Sequence, residues 1–328
     1  MICHVVHYRL PNSDTQGDFW GVLENETLFP LQDTYCSTAD FLKRGREQAY
    51  NRLRRLKGGN DKDGIPVNQV ELLSPVTKPC RVLCQGANYR QHMIESGMNP
   101  DAKSFNMFFN KSSASVCSGD SDVVRPNHVQ LLDYEVELGL VIGADTDTSM
   151  EISDDNIHEV IAGIVIGNDI SARDVQVPQM QFFKGKSYRS FCPTGPVLCL
   201  MEKEDMHYLH KLNLELRVNG EVRQRDNTAN LVFKPAESLS EFTQVSDLSV
   251  GDLVLTGTPS GCAMQIPSAF LVKALSLLPE ATKWKLFVKG QSRSKKYLQP
   301  GDTMSTSIRS QDGNINLGTQ NNRVVEAV

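Results

Sequence analysis

The sequence predicts an α+β protein: a small α/β domain over residues 1–75, then a mainly β domain with mixed sheets over residues 76–328. Three observations predict it. Strand-like and helix-like patterns alternate up to about residue 75. From Arg81 onward, short apolar runs separated by Gly, Pro and Asp take over. Between them lies a proline-marked junction, Pro75 to Pro79.

In the first domain, MICHVVHYRL and FWGVLE read as strands separated by the turn-forming Pro11-Asn12-Ser13-Asp14. Ser37 or Thr38 can cap a helix from about Ala39 to Leu56, with Phe41, Leu42, Tyr50, Leu53 and Leu56 as its apolar positions. Lys57-Gly58-Gly59-Asn60 ends it, and VELLSP returns as a strand. In the second domain RVLCQG, VELGLVIG, IAGIVIGND, PTGPVLCL and DLVLTGTPSG are the clearest strands. LNLELRVNGEVRQRD is a hairpin by its Asn219-Gly220 turn. NYRQHMIESGM and the 265–282 segment carry the helical patterns.

Composition excludes several function classes. A net charge of -5 gives no electrostatic reason to bind nucleic acid or an anionic membrane. No apolar run reaches bilayer length, and MICHVVHYRL lacks the basic and apolar regions of a secretion signal. The expectation is a cytoplasmic protein. The eight cysteines are scattered without a CxxC pair, which predicts reduced, mostly buried thiols rather than disulfides or zinc.

The stretch LLDYEVELGLVIG, residues 131–143, carries the most chemistry. On a strand, alternation puts Glu135 and Glu137 on one face and Val136 and Leu138 on the other. Two neighbouring carboxylates in an apolar strand repel each other and lose hydration. A hard divalent cation relieves both costs, and oxygen-only ligands favour Mg²⁺ or Mn²⁺, with Ca²⁺ as a further option. The alternative is a solvated strand face, where such pairs are common. IAGIVIGNDISARD ends a second apolar strand at Asn168-Asp169, so Asp169 would complete a three-carboxylate set with positions open for substrate. By itself such an aspartate is more often a turn or cap residue.

Three further groups stand near these motifs. His92 and Glu95, three apart on a helix, share a face, and a carboxylate beside an imidazole suits a general base; surface pairing is the ordinary alternative. FFKGKSYRSFCPTGP offers Lys184 and Lys186 to neutralise a substrate carboxylate or developing enolate, although loop lysines are usually just solvated. In LVLTGTPSG, Gly257, Thr258 and Gly261 can present N–H groups and a hydroxyl to an anion, and tight turns use the same residues.

Taken in order, GANYRQHMIE, LLDYEVELGLVIG, GNDISARDVQ, KGKSYRSFCPTGP and LVLTGTPSGC resemble the fumarylacetoacetate hydrolase family, in its acylpyruvate-hydrolase and oxaloacetate-decarboxylase-like branch. The resemblance runs from about residue 70 to the C-terminus. It implies a mixed β-sandwich or β-roll catalytic domain, usually a homodimer. It also implies that Glu135, Glu137 and Asp169 are the metal ligands, and that His92 and Glu95 are a lid dyad that activates water or shuttles a proton. Lys186 matches the lysine near the metal, Gln176, Gly257 and Thr258 match the substrate-binding region, and Arg173 matches a recurring arginine. Two departures matter. NYRQH replaces the fourth-carboxylate pattern of the family's namesake, which argues against fumarylacetoacetate as substrate. Ala263 to Pro300 is longer than the short acidic connection of smaller members.

The expected activity is metal-dependent hydrolysis of a carbon–carbon bond in a ketonic substrate. A 2,4-dioxo acid of acylpyruvate type would be cleaved by activated water through a metal-bound enolate, with Lys186 sharing the charge. The same site can decarboxylate an oxo-diacid or tautomerise an enol, such as a 2-hydroxy-dienoate. A rival of another class is a non-catalytic β module holding structural Ca²⁺, with coordination closed by protein oxygens.

Overall fold

A computed structural model describes residues 1–11, 17–59, 63–265 and 278–327. Its main strands and helices are, in chain order, β1 (Cys3–Arg9), β2 (Phe19–Glu24), β3 (Thr27–Pro30), α1 (Thr38–Arg44), α2 (Arg46–Lys57), β4 (Val82–Gly86), α3 (Arg90–Glu95), β5 (Met107–Lys111), β6 (Val136–Ile142) and β7 (Ile161–Asn168). There follow α4 (Arg173–Gln179), α5 (Phe182–Lys186), β8 (Val197–Leu200), β9 (Leu212–Val218), β10 (Glu221–Asn227), α6 (Pro235–Val245), β11 (Leu253–Leu255), α7 (Glu280–Gln291), β12 (Thr303–Ser310) and β13 (Asn316–Glu326).

One large mixed sheet runs in the order β3-β2-β1-β8-β7-β6-β11-β4-β5. A second, smaller sheet runs β10-β9-β12-β13 and ends on the short strand Val123–Arg125. The central strands β6 and β7 are buried along their whole length. Their side chains alternate between two cores. Leu138, Leu140, Ile164 and Ile166 pack with Leu214, Leu216 and Ile308 of the smaller sheet. Val141 and Val165 pack with Trp20, Phe41 and Leu53 beneath α1 and α2. Burial on both faces explains why VELGLVI and IAGIVIGN read as nearly continuous apolar runs. The α+β class and the sandwich-like packing agree with the sequence reading.

The N-terminal strands join the same large sheet, because β1 pairs antiparallel with β8 from Cys3 opposite Leu200 to Val6 opposite Val197. The helix expected over 39–56 is two helices that meet at Gly45. Ser37 caps the first, its hydroxyl accepting from the Asp40 N–H at 3.1 Å. A Cβ on Gly45 would lie 2.5 Å from the Tyr35 ring, so the break packs closely against that aromatic. The Asn219-Gly220 turn is present, both residues at positive φ and Val218 opposite Glu221.

One further expectation changes. Residues 131–143 are not one strand: Leu132–Asp133 pairs with Ser171–Ala172, and β6 begins only at Val136. The chain crosses between the two pairings at Tyr134 and Glu135, where the Glu135 N–H bonds the Asn168 side chain at 3.0 Å. The helical pattern placed over 265–282 falls largely on 266–277, outside the described residues, and the helix found is α7. Helix α6 was not anticipated, although Pro235 at its first position is a helix-start signal. The Asn12–Asp14 turn also lies outside the described residues.

Close sheet packing makes glycines unequal. A Cβ on Gly163 of β7 would lie 2.1 Å from the Cys199 carbonyl oxygen, whereas one on Gly290 of α7 meets nothing within 4 Å. Gly163→Ala is expected to destabilise by about 1–3 kcal/mol through overpacking. Gly290→Ala should stabilise by about 0.5–1 kcal/mol through backbone entropy. Urea midpoints of the two variants check this, and equal midpoints would refute it.

Candidate metal centre

The site forms where β6 and β7 come together. Val136 stands opposite Asn168 and Glu137 opposite Gly167, and the Asp169 N–H closes the pair on the Glu135 carbonyl at 2.8 Å. This register brings ligand atoms of Glu135, Glu137 and Asp169 within 4.8 Å of one another, all three residues buried. The alternation read from the sequence was therefore sufficient to converge the glutamates, even though Glu135 sits just before the strand.

Each carboxylate has a different environment. Arg173 donates from Nη2 to Glu135 Oε1, and from Nε to Asp133 Oδ2 at 2.9 Å. Lys186 Nζ donates to Glu135 Oε2 at 2.8 Å, to Asp169 Oδ2 at 2.6 Å and to Ser171 Oγ at 2.8 Å. Lys111 Nζ donates to Asp169 Oδ1 and, at 3.3 Å, to the Ile170 carbonyl. Among the described residues Glu137 has no such cationic donor; its Oε2 accepts from the Gly257 N–H at 2.7 Å. That contact uses a backbone at φ +93, and a Cβ there would lie 2.8 Å from Asn88 Cβ, so glycine is required twice over.

The protonation equilibria follow. Burial alone would raise the Glu135 carboxyl, but Arg173 and Lys186 hold it well below the usual range. Glu137 goes the other way: burial, then repulsion from Asp169 and Glu135, pushes it well above the usual carboxylate value. Burial opposes the Lys186 charge, yet Asp169 and Glu135 raise it above an ordinary lysine. In this cluster four carboxylates, Asp133 included, face the three cations Lys111, Arg173 and Lys186. The unbalanced charge rests on Glu137. A hard divalent cation fits this donor set, because it offsets the repulsion that the Gly257 N–H relieves only in part.

The cluster opens on a cavity of about 460 Å³ lined by Glu135, Glu137, Arg173, Lys186, Gln176, Thr258 and His92, together with apolar side chains. Asp169 is fully buried behind it. Gln176 accepts from Arg173 Nη1 at 2.9 Å. Thr258 donates to the Val136 carbonyl and accepts from Gln224, each at 2.9 Å, so it braces the start of β6 as well as facing the cavity. Burial lowers the His92 pKa, Arg173 acting in the same direction and Glu135 against it. Glu95 is exposed and accepts from Gln91 Nε2 at 3.3 Å; it does not line the cavity. Lys184 is exposed, and Gly257 acts through Glu137 rather than on the cavity.

Two residues escaped the sequence reading. Asp133 is fully buried and accepts from Arg173 and from the N–H groups of Ala263 and Met264 at 2.7 and 3.1 Å. One more step back along the alternation that singled out Glu137 and Glu135 would have found it. Lys111 ends an apolar run, MFFNK, with nothing local to mark it.

A family model for the fumarylacetoacetate (FAA) hydrolase C-terminal region matches residues 81–325. The chain is 38% identical over 198 residues to oxaloacetate tautomerase YisK of Bacillus subtilis, covering 60% of this chain and 64% of that protein, just under two thirds of its length. It is 34% identical over 255 residues to the mitochondrial oxaloacetate tautomerase Fahd2a of Rattus norvegicus, covering 77% and 78%. The solved fumarylacetoacetate hydrolase of the psychrophile Exiguobacterium antarcticum superposes with a TM-score of 0.72 at 27% identity, covering 99% of this chain and 100% of that one.

The charge excess sets a stability test. Because the folded Glu137 pKa is raised, its contribution is greatest below the unfolded carboxylate value and is lost as pH rises. Metal-stripped Glu137→Gln should therefore melt no lower than the stripped parent at pH 7. Mn²⁺ at about 100 times its dissociation constant should stabilise the parent by about 2.7 kcal/mol and the variant hardly at all. Equal metal-induced melting shifts would remove Glu137 from the site.

Proposed function

This chain belongs to the fumarylacetoacetate hydrolase family, and from that premise we propose a divalent-metal-dependent enzyme that interconverts the keto and enol forms of a short 2-oxo acid. The observation that carries this reading is an imidazole, His92, lining the same cavity as the buried carboxylate cluster, with burial lowering its pKa. Two relatives named as oxaloacetate tautomerases support it.

Glu135, Glu137 and Asp169 would hold Mg²⁺ or Mn²⁺, which when bound supplies Lewis-acid polarisation of the substrate's 2-oxo group. His92 takes a proton from C3 and delivers it to the 2-oxo oxygen, so the exchange is internal and balanced, and the reverse path uses the same atoms. Lys186, already between Glu135 and Asp169, offsets negative charge developing on the oxygen. Arg173 fixes Glu135 and Gln176, while Thr258 fixes the strand that carries Glu137. Glu95 would orient His92 only after exchanging its Gln91 partner, which places its role in a closed form of α3. The Ca²⁺-module alternative has no use for a cavity lined by His92 and Lys186.

A second reading is hydrolysis of a carbon–carbon bond in a 2,4-dioxo acid of acylpyruvate type. The cavity volume and the resemblance in fold and length to the fumarylacetoacetate hydrolase favour it. It shares the enolising half of the chemistry and adds attack by water. Decarboxylation of an oxo-diacid differs in releasing CO₂. A two-fold homodimer belongs to this proposal through the family's usual assembly, and sedimentation measures it.

Product analysis by NMR with oxaloacetate, acylpyruvates and 2-hydroxy-dienoates separates the readings: a tautomer alone, an added acid, or CO₂. His92→Ala is expected to lower kcat by about 10²–10⁴-fold while the Mn²⁺-induced melting shift persists. Since burial lowers the His92 pKa, the rate should fall with acidification only below the ordinary imidazole value of about 6.5. An unchanged rate in His92→Ala would take the imidazole out of the mechanism.

A further inference from the structure

The cavity is divided by polarity, and the division tracks depth. Of the polar side chains that line it, Gln85, Glu135, Glu137, Arg173, Gln176, Lys186 and Thr258 are buried, while His92 and Ser96 are half-buried. The larger apolar ones, Met98, Met107, Phe109, Val177 and Phe182, are half-buried, and Met180 is 80% exposed. Charge is therefore concentrated at the floor, and hydrocarbon forms the wall and rim.

The transition is abrupt. Lys186 Nζ lies 5.1 Å above the Phe109 ring, and Phe109 meets Phe182 edge-on at 5.0 Å. Lys186 and Phe182 sit at opposite ends of the five-residue helix α5, so one short element supplies both floor and wall. A substrate whose 2-oxo-carboxylate end reaches the carboxylate cluster leads the rest of its chain past these rings.

Among the described lining residues no cation stands free to receive a second carboxylate. Arg173 is engaged by Asp133, Glu135 and Gln176, and Lys186 by Glu135, Asp169 and Ser171. Burial disfavours the charged form of His92. Arg90 and Lys103, on the stretch of chain around α3, are paired with Asp101 and Glu237. The cavity, about 460 Å³, lies in the ~300–1,000 Å³ range that holds drug-sized ligands. It has room well beyond a four-carbon acid.

We infer that the substrate's distal end is uncharged and apolar: a 2-oxo or 2,4-dioxo monoacid with an alkyl or aryl tail lying against Met107, Phe109, Phe182 and Met180. This rests on the proposed 2-oxo-acid chemistry for the head of the substrate. It departs from the oxo-diacid in the names of the relatives. A second carboxylate here would be desolvated without a partner, whereas each methylene gains burial.

The test separates tail recognition from turnover. N-alkyl oxamates present the same carboxylate and adjacent carbonyl but cannot enolise, so calorimetry on the Mn²⁺-loaded full chain measures recognition alone. Affinity is expected to rise roughly fourfold per methylene from N-methyl to N-butyl. The N-(3-carboxypropyl) analogue should bind at least about tenfold more weakly than N-butyl. Met180→Arg, a change at an exposed position, should narrow or invert that ratio. A carboxypropyl analogue that matches or exceeds N-butyl in the parent overturns the inference. Turnover is scored separately. If tails behave as expected and no 2-oxo acid is tautomerised or cleaved, the proposed function falls and the apolar-tail site stands. If oxaloacetate is turned over with higher kcat/KM than 2-oxohexanoate and phenylpyruvate, the inference falls and the proposed function stands.

Discussion

Everything at the centre of this molecule is arranged around one electrostatic constraint: among the described residues, four carboxylates are buried together with three cations. Taking an ion out of water costs several kcal/mol even after relaxation, and like charges in close contact add to it. The fold meets most of that cost with geometry. Arg173 spans Asp133 and Glu135, Lys186 spans Glu135 and Asp169, and Lys111 holds the other oxygen of Asp169. Glu137 is left with a single N–H donor. The deficit is local, and it faces the cavity.

The surrounding architecture reads as the means of holding that cluster rigid. Antiparallel register between β6 and β7 sets the spacing of Glu137 and Asp169. The parallel neighbours β11 and β4 fix the loop that carries Gly257 and Thr258, and Gln224 of β10 in the smaller sheet bonds both the Val136 N–H and the Thr258 hydroxyl. The site is thus supported from two sheets. A displacement of either would move a carboxylate into a stronger repulsion, so packing and electrostatics penalise the same motions.

What was legible in the sequence follows from the range of each interaction. Glu135 and Glu137 were legible because strand alternation is local, and Asp169 because it ends an apolar run. The break at Tyr134–Glu135 was not, since it depends on Asn168 thirty-three residues away. Lys111 was not, since its partner is brought in only by folding across 58 residues. Glu95 shows a limit of local reasoning: helical spacing offers it to His92, and in this structure an equally local residue, Gln91, donates to its carboxylate. The two-helix break at Gly45 likewise needs Tyr35 in place before it has a cause.

The division between floor and rim has a consequence for how one fold serves several reactions. Enolisation needs charge, and the residues that manage charge are buried, mutually bonded and hard to replace singly. Selection among substrates needs only shape and polarity at the rim, where Met98, Met107, Phe182 and Met180 lack comparable bonds to the cluster. Substitutions there change the free energy of the substrate's tail while leaving the cluster's internal balance intact. Chemistry and specificity are therefore separable in this structure because they sit at different depths. On the proposed function, the carboxylate cluster would set the class of reaction and the hydrocarbon wall would select the acid that undergoes it.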